Sequence, residues 1–458
     1  MTALAATMAG WAAGLRFEDL PDAVVADTRR RILDTLGIMV AASTTPQTRA
    51  VREAAAALGQ GDEAGLVGFG GRTTAALAAL VNGSGAHGLN FDDTHPETLI
   101  HTSVSTVPAA LALGEATGAG GRDAMLAVAL GNEINCRIGI VAPGQMHRSG
   151  FHPTSVCGTL AAALMAGRML ALDPARLCHA MGIAGSQAAG ILESFADGTW
   201  VKTMHAGWSA QAGIVAARLA AADFTGPATV LEGRFGVFNS FCRSPADFAP
   251  DRLLDGLGSE WEVLKTAFKP WPCGHPTHGY VDAALRLRQE HGVVPDDIAR
   301  VVLLVREAHI PIICEPRAVK IRPLTAYQAG DALPFVVAAA LRFGTIDYTA
   351  LDDDAIRDPV VLSLAERVFP EPDPDPAPPA QFRGRLRIET RDGRVLEGVQ
   401  EHSRGSAANP MSDAELEDKF RANAAMVLPD ARVERAVELA RDLPALPRIA
   451  DLVAACMP

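Results

Sequence analysis

The densest group of reactive side chains in this chain is Asn90-Phe91-Asp92-Asp93-Thr94-His95, with His101 close behind. Two adjacent carboxylates, a hydroxyl and two imidazoles sit after a small, apolar, glycine-rich stretch. Burying so many polar groups without a use is costly. Similar clusters recur at Gly150-Phe151-His152-Pro153-Thr154, Gly198-Thr199-Trp200-Val201-Lys202-Thr203-Met204-His205 and Pro272-Cys273-Gly274-His275-Pro276-Thr277-His278. The four clusters hold six of the twelve histidines together with Lys202. Such a set offers proton donors and acceptors beside a cation, the equipment for moving a proton on an anionic substrate.

Each cluster also has a plainer reading. Asp92, Asp93 and Thr94 could supply a general base, a carboxylate partner for an imidazole or a metal ligand, but Asp and Thr also cap helices. His152 stands at the start of an apolar helix, where free N–H groups attract anions and where a histidine can equally be a cap. Lys202 lies in a glycine-bounded segment between two apolar helical regions. A lysine held inside a protein needs a counter-charge, and a substrate carboxylate is a natural one; the alternative is a surface lysine lying along apolar neighbours. His275 and His278, with Asp92 and Asp93, are the rival metal ligands. Pro276 between the two imidazoles, and the lack of HExxH or CxxC spacing, lead us to expect no metal. The sequence Gly83 to Gly88 matches GxGxxG, but after a helical stretch, and is expected to be a loop of small residues. No P-loop or GxSxG elbow occurs, so nucleotide and serine-hydrolase chemistry are unsupported.

The composition narrows the field further. The 458 residues are 48% hydrophobic and 21% charged, enough for a large core. The net charge of −12 and the lack of Lys/Arg runs set nucleic acid aside. A pocket for an anion must therefore be locally positive. The seven cysteines include no CxxC pair, which fits reduced thiols in the cytoplasm better than a disulfide framework. The start of the chain lacks a basic n-region, and the apolar runs are broken by glycine and charge, so neither a secretory signal nor a membrane span is expected.

The elements that must hold these residues are mostly helical up to about residue 250. Helices are expected from Leu20, over Thr73–Asn82, Val107–Ala116, Arg122–Asn135, Thr154–Met169 and Ala210–Ala222, several with Gly/Ala faces suited to close packing. The character changes near Leu264. Ile298–Val305 reads as a β-branched strand between helices at Thr277–Glu290 and Ala332–Leu341. Alternating residues around Asp392-Gly393 predict a hairpin, and Ser412-Asp413-Ala414-Glu415 is a capping box that reopens helix. The expected fold is mainly α: a discontinuous all-helical domain at 1–265 and 403–458, with a smaller, lid-like α+β domain inserted at 266–402.

Six blocks in this order resemble the MmgE/PrpD family, which includes 2-methylcitrate dehydratase, cis-aconitate decarboxylase and iminodisuccinate epimerase. They are His87 to Thr94, Gly150 to Thr154, Gly198 through Lys202 to Gly207, Gly226 to Gly233, Lys269 to Cys273, and Asn409 to Ser412. The resemblance implies a homodimer of two-domain subunits. It places Thr94, His101, His152, Lys202 and one of His275 and His278 on active-site positions. Asn90 stands where the family often has Asp, and Phe335 where its decarboxylase branch has Tyr. The resulting expectation is a cofactor-independent, dehydratase-like lyase on a small di- or tricarboxylate. Epimerase, decarboxylase and non-catalytic binding protein are the alternatives. Asp93, His101, His152, Lys202, His275 and His278 would be catalytic; Asn90, Thr94, His95, Thr154 and Lys202 would bind substrate.

Overall fold

The computed structural model describes residues 3–244 and 248–458. Contacts divide the chain into a helical unit, Met1–Thr266 with Ser412–Pro458, and a smaller unit, Ala267–Met411. In chain order the helices used below are α1 (Asp22–Ala42), α2 (Ala75–Ala86), α3 (Ser103–Thr117), α4 (Gly121–Ile140), α5 (Pro153–Met169), α6 (Val201–Ala221), α7 (His278–His291), α8 (Leu333–Phe343) and α9 (Asp413–Ala424). The strands are β1 (Ile298–Val305), β2 (Val368–Pro372), β3 (Gly384–Thr390) and β4 (Val395–Gln400). The architecture is mainly α with a smaller α+β part, as the sequence led us to expect.

In the helical unit α6 packs against α2, α3 and α5, and α3 against α2 and α5. Glycine makes this possible. A Cβ on Gly207 would lie 2.1 Å from the Leu80 carbonyl oxygen, and one on Gly213 2.4 Å from Ala162 Cβ. These glycines therefore mark helix crossings inside α6 and not its ends. That corrects the expected start of this helix at Ala210: α6 begins at Val201, and Lys202 lies in its first turn. For the same reason the GxGxxG stretch is not a loop at its start. Gly83 and Gly85 are inside α2, and a Cβ on Gly83 would lie 2.8 Å from Gly207 Cα. Leu36, Met39, Leu113, Ile214 and Phe420 fill one part of the core, and Leu130, Ile134, Leu160 and Leu164 another. Among the described residues no helix is long and apolar enough to cross a membrane.

The smaller unit is built on a four-stranded sheet in the order β2-β1-β3-β4. β1 runs parallel to β2, with Val301 opposite Val368, and antiparallel to β3, with Leu303 opposite Leu386. The β3–β4 hairpin turns at Gly393, whose φ of 87° is a conformation that glycine adopts freely. Along β3, Leu386 and Ile388 point into the core while Arg385 and Arg387 are half-buried, the alternation of a one-sided sheet. α7 packs on β3 and β4. Phe335 in α8 is fully buried in the apolar core of this unit.

The expected domain boundary falls at 402/403, whereas contacts group residues 403–411 with the smaller unit. The Phe268 N–H donates to the Gly405 carbonyl at 2.9 Å, and the Arg404 N–H to Asp282 at 3.3 Å. Helix resumes with α9, whose N-cap Ser412 and Glu415 form the expected capping box.

Candidate active site in the helical unit

The loop between α2 and α3 carries the paired carboxylates, and the structure separates their roles. Asn90 enters this loop with a φ of 52° and Leu99 leaves it with a φ of 59°, both in the left-handed region that costs a side chain energy. Asp93 is consumed in holding the loop. Its carboxylate accepts from Arg31 Nη1 at 2.7 Å, Thr102 Oγ1 at 3.1 Å and the Ser103 backbone N–H at 3.1 Å, and also from Ser103 Oγ. It thereby caps the first turn of α3 from outside the helix. Arg31 also donates to Asp27 at 2.6 and 2.9 Å and to the Thr266 carbonyl at 2.8 Å. Burial alone would lower the Arg31 pKa; Asp27 and Asp93 outweigh it and hold the guanidinium charged.

Asp92 faces the imidazoles instead. Its Oδ2 lies 2.7 Å from His101 Nδ1 and 3.1 Å from His87 Nδ1. His101 Nδ1 is also 2.9 Å from the Asp93 carbonyl and 3.3 Å from Thr94 Oγ1, and the His101 backbone N–H donates to Thr154 Oγ1 at 3.1 Å. The ring is thus fixed at both its backbone and its Nδ1. Thr154 is in the first turn of α5, and His152 is that helix's N-cap. The preceding backbone is pinned by the His152 N–H donating to the Gly190 carbonyl at 2.9 Å. His152 Nδ1 lies 3.1 Å from His205 Nδ1. The His152 ring stacks on His87 with centroids 5.5 Å apart and lies 6.1 Å from the His101 ring.

A ring nitrogen from each of His87, His101 and His152 lies within 4.8 Å of the other two, a grouping that their sequence spacing did not suggest. Burial sets the charge of His87, His152 and two neighbouring rings. His87 is pushed down to about 3, because desolvation and the nearby Lys202 charge outweigh the pull of Asp92. Burial holds His152 well below its ordinary value, and the Lys202 charge adds to this. Burial likewise takes His147 and His205 to about 4. These imidazoles are neutral at pH 7.

Lys202 is the cation among them. It is only 7% exposed. Among the described residues no carboxylate forms an ion pair with it, although its charge depresses four histidines. Burying an ammonium beside neutral rings carries a desolvation cost.

The family assignment comes from comparison with known proteins. Residues 6–249 match the MmgE/PrpD N-terminal domain and residues 271–443 the MmgE/PrpD C-terminal domain. The chain belongs to the MmgE/PrpD family. Within this family it is similar to proteins named cis-aconitate decarboxylase from Homo sapiens, with 30% identity over 94% of this chain and 89% of the human protein. Those of Mus musculus and Aspergillus terreus are 28% and 26% identical, over 95% and 97% of this chain and 90% and 94% of their own lengths.

Of the residues singled out in this MmgE/PrpD chain, His101, His152, Lys202, Thr94 and Thr154 gather at one place in the helical unit. His95 is turned to other work. Its Nδ1 meets Thr98 Oγ1 at 2.9 Å, and its Nε2 lies 3.6 Å from Glu262, whose carboxyl is held at about 2 chiefly by this contact. Asn90 serves the turn and is buried. His275 and His278 belong to the smaller unit. His278 Nε2 is 3.1 Å from the Cys273 carbonyl, and His275 stacks on Phe382 with its Nε2 3.4 Å from Ser403 Oγ. The sequence reading did not commit to His87, Asp92 or Arg31. His87 lies in the same block as the two aspartates, which was the available signal. Nothing in a pair of adjacent carboxylates tells which one turns toward the histidines. All seven cysteines are free and buried.

Proposed function

We propose that this chain is a lyase acting on a small polycarboxylate by chemistry at the carbon beside a carboxylate, with cis-aconitate as the first substrate to test. The observation that carries the reading is Lys202, a buried ammonium with no ionic partner among the described residues, set among neutral imidazoles. It would pair with a substrate carboxylate and steady the negative charge that builds there in the transition state. In decarboxylation the C–C bond to the departing carboxylate breaks, carbon dioxide leaves, and the electron pair stays on carbon, spread over the adjoining unsaturated carboxylate. A proton must then reach that carbanion. His101 is the group for this step: Asp92 orients its ring through Nδ1 and stabilises the imidazolium, leaving Nε2 to deliver the proton. His87 and His152, held neutral, would donate or accept hydrogen bonds without adding charge.

The names of the similar proteins favour decarboxylation over the dehydration first expected. A specific observation keeps the other reactions in play: Phe335 and Asn90 replace the Tyr and Asp that the family resemblance led us to look for. Without these groups the same Lys202 and His101 suit removal of an α-proton in dehydration or epimerisation. The family resemblance also supports a homodimer, which light scattering would check.

The test is to incubate the protein with cis-aconitate, methylcitrate and iminodisuccinate in D2O and follow each by NMR. Loss of carbon dioxide with deuterium entering the product identifies the decarboxylase. Exchange without net conversion identifies an epimerase. No turnover and no exchange with any of the three would overturn the reading.

A further inference from the structure

We infer that Lys419 positions Asp92 against His101, so that a residue from the last part of the chain aims the carboxylate at the imidazole. The inference rests on the role proposed for that pair. Asp92 is held from both sides, and both holds run back to α1. On one side Asp93 takes Arg31, which is braced by Asp27. On the other, Lys419 Nζ donates to the Phe91 carbonyl at 2.9 Å and pairs with Asp34 Oδ1 at 2.7 Å. The ammonium also stands 3.8 Å from the centroid of the Phe91 ring, inside the reach of about 6 Å at which an aromatic face attracts a cation. The Lys419 and Asp34 side chains are almost fully buried, so salt screens the pair little. The Phe91 carbonyl belongs to the peptide that joins Phe91 to Asp92. A peptide is planar, so fixing its oxygen fixes the plane from which Asp92 departs. The loop needs this hold, because Asn90 just before it sits at a φ of 52°, a conformation that persists only where the surroundings enforce it. Close packing of α9 on α1 brings Lys419 to Asp34: a Cβ on Gly37 would lie 3.2 Å from Phe420 Cα. Lys419 is thus a positioning residue that acts through Asp92.

The experiment compares the full chain with a variant carrying Lys419→Met and Asp34→Leu together. Removing both partners leaves no uncompensated buried charge, as Lys419→Met alone would. Circular dichroism reports the fold, and Lys419→Met with Asp34→Asn serves if the first pair does not fold. One readout needs no substrate. The ring nitrogens of isotope-labelled histidine are followed by NMR, with the His101 signals assigned by their loss in His101→Gln. Asp92→Asn should move the His101 Nδ1 signal, and the double variant should move it in the same direction. The other readout is kcat on the responsive substrate. It should fall at least ~10-fold with KM changed much less, as when a reacting group is misplaced. Added to Asp92→Asn, the same two changes should lower kcat less than about twofold, because the group they position is already gone. An unmoved His101 Nδ1 signal in either the folded double variant or Asp92→Asn would overturn the inference, and so would an equal loss of kcat in both backgrounds. Normal kcat in the double variant beside a reduced kcat in Asp92→Asn would remove only this inference. A moved signal in a chain that turns over none of the substrates would support the positioning and remove only the lyase reading.

Discussion

Asp92 Oδ2 stands 2.7 Å from His101 Nδ1, both in the helical unit, and this contact separates the two adjacent carboxylates by their partners. Asp92 faces a ring that can move a proton, while Asp93 faces the arginine that anchors the loop. Replacing Asp92 by Asn keeps the shape but removes the charge that would stabilise a protonated His101. We expect kcat on the responsive substrate to fall by about 10²-fold or more, as for loss of general acid–base catalysis, with KM changed much less. Steady-state kinetics of Asp92→Asn beside Asp93→Asn will show whether the two carboxylates separate in this way.

Arg31 joins Asp27 and Asp93 in a network that is almost fully buried. Removing the guanidinium leaves two buried carboxylates without their partner, a loss of about 3–5 kcal/mol in comparable networks. Arg31→Met should therefore destabilise the helical unit by that order in urea unfolding. A change below about 1 kcal/mol would mean that water or a neighbouring group replaces it.

Stability should depend on pH through the buried histidines. Unfolded histidines take up protons near 6.5, but folded His87 resists to about 3 and His147 and His205 to about 4. Between these values the unfolded chain binds more protons, so stability must fall as pH drops from 6.5 toward 4. Glu262, held at about 2, adds stability that is fully present above its ordinary value of 4.5 and is lost progressively as pH falls from there through 2. The upper part of the decline thus belongs to the histidines. Thermal unfolding followed from pH 7.5 to 4.5 should show the decline, and His147→Gln should flatten it by up to about 1.4 kcal/mol per pH unit.

Much of this was legible in the sequence, for local reasons. The strand Ile298–Val305, the hairpin at Gly393 and the Ser412 capping box each depend on a few neighbouring residues, and each is present. The start of α6 was misplaced because Gly207 reads as a boundary to local rules, whereas tertiary packing against Leu80 requires it within a helix. The site shows the same division. The residue types and the blocks holding His101, His152 and Lys202 stood out by composition. The pairing of His87 with Asp92, and of Asp93 with Arg31 from a helix some sixty residues earlier, depends on long-range folding that no spacing reports.

The central claim is that the buried Lys202 ammonium receives a substrate carboxylate, and kcat/KM of Lys202→Met on the substrate identified by NMR tests it most directly. The fold should persist, because removing a buried cation with no ion pair among the described residues relieves a desolvation cost. The account predicts a fall in kcat/KM of at least ~100-fold, on the order of 2.7 kcal/mol of lost transition-state stabilisation, in a variant with unchanged circular dichroism. A folded Lys202→Met protein with near-normal kcat/KM would contradict it.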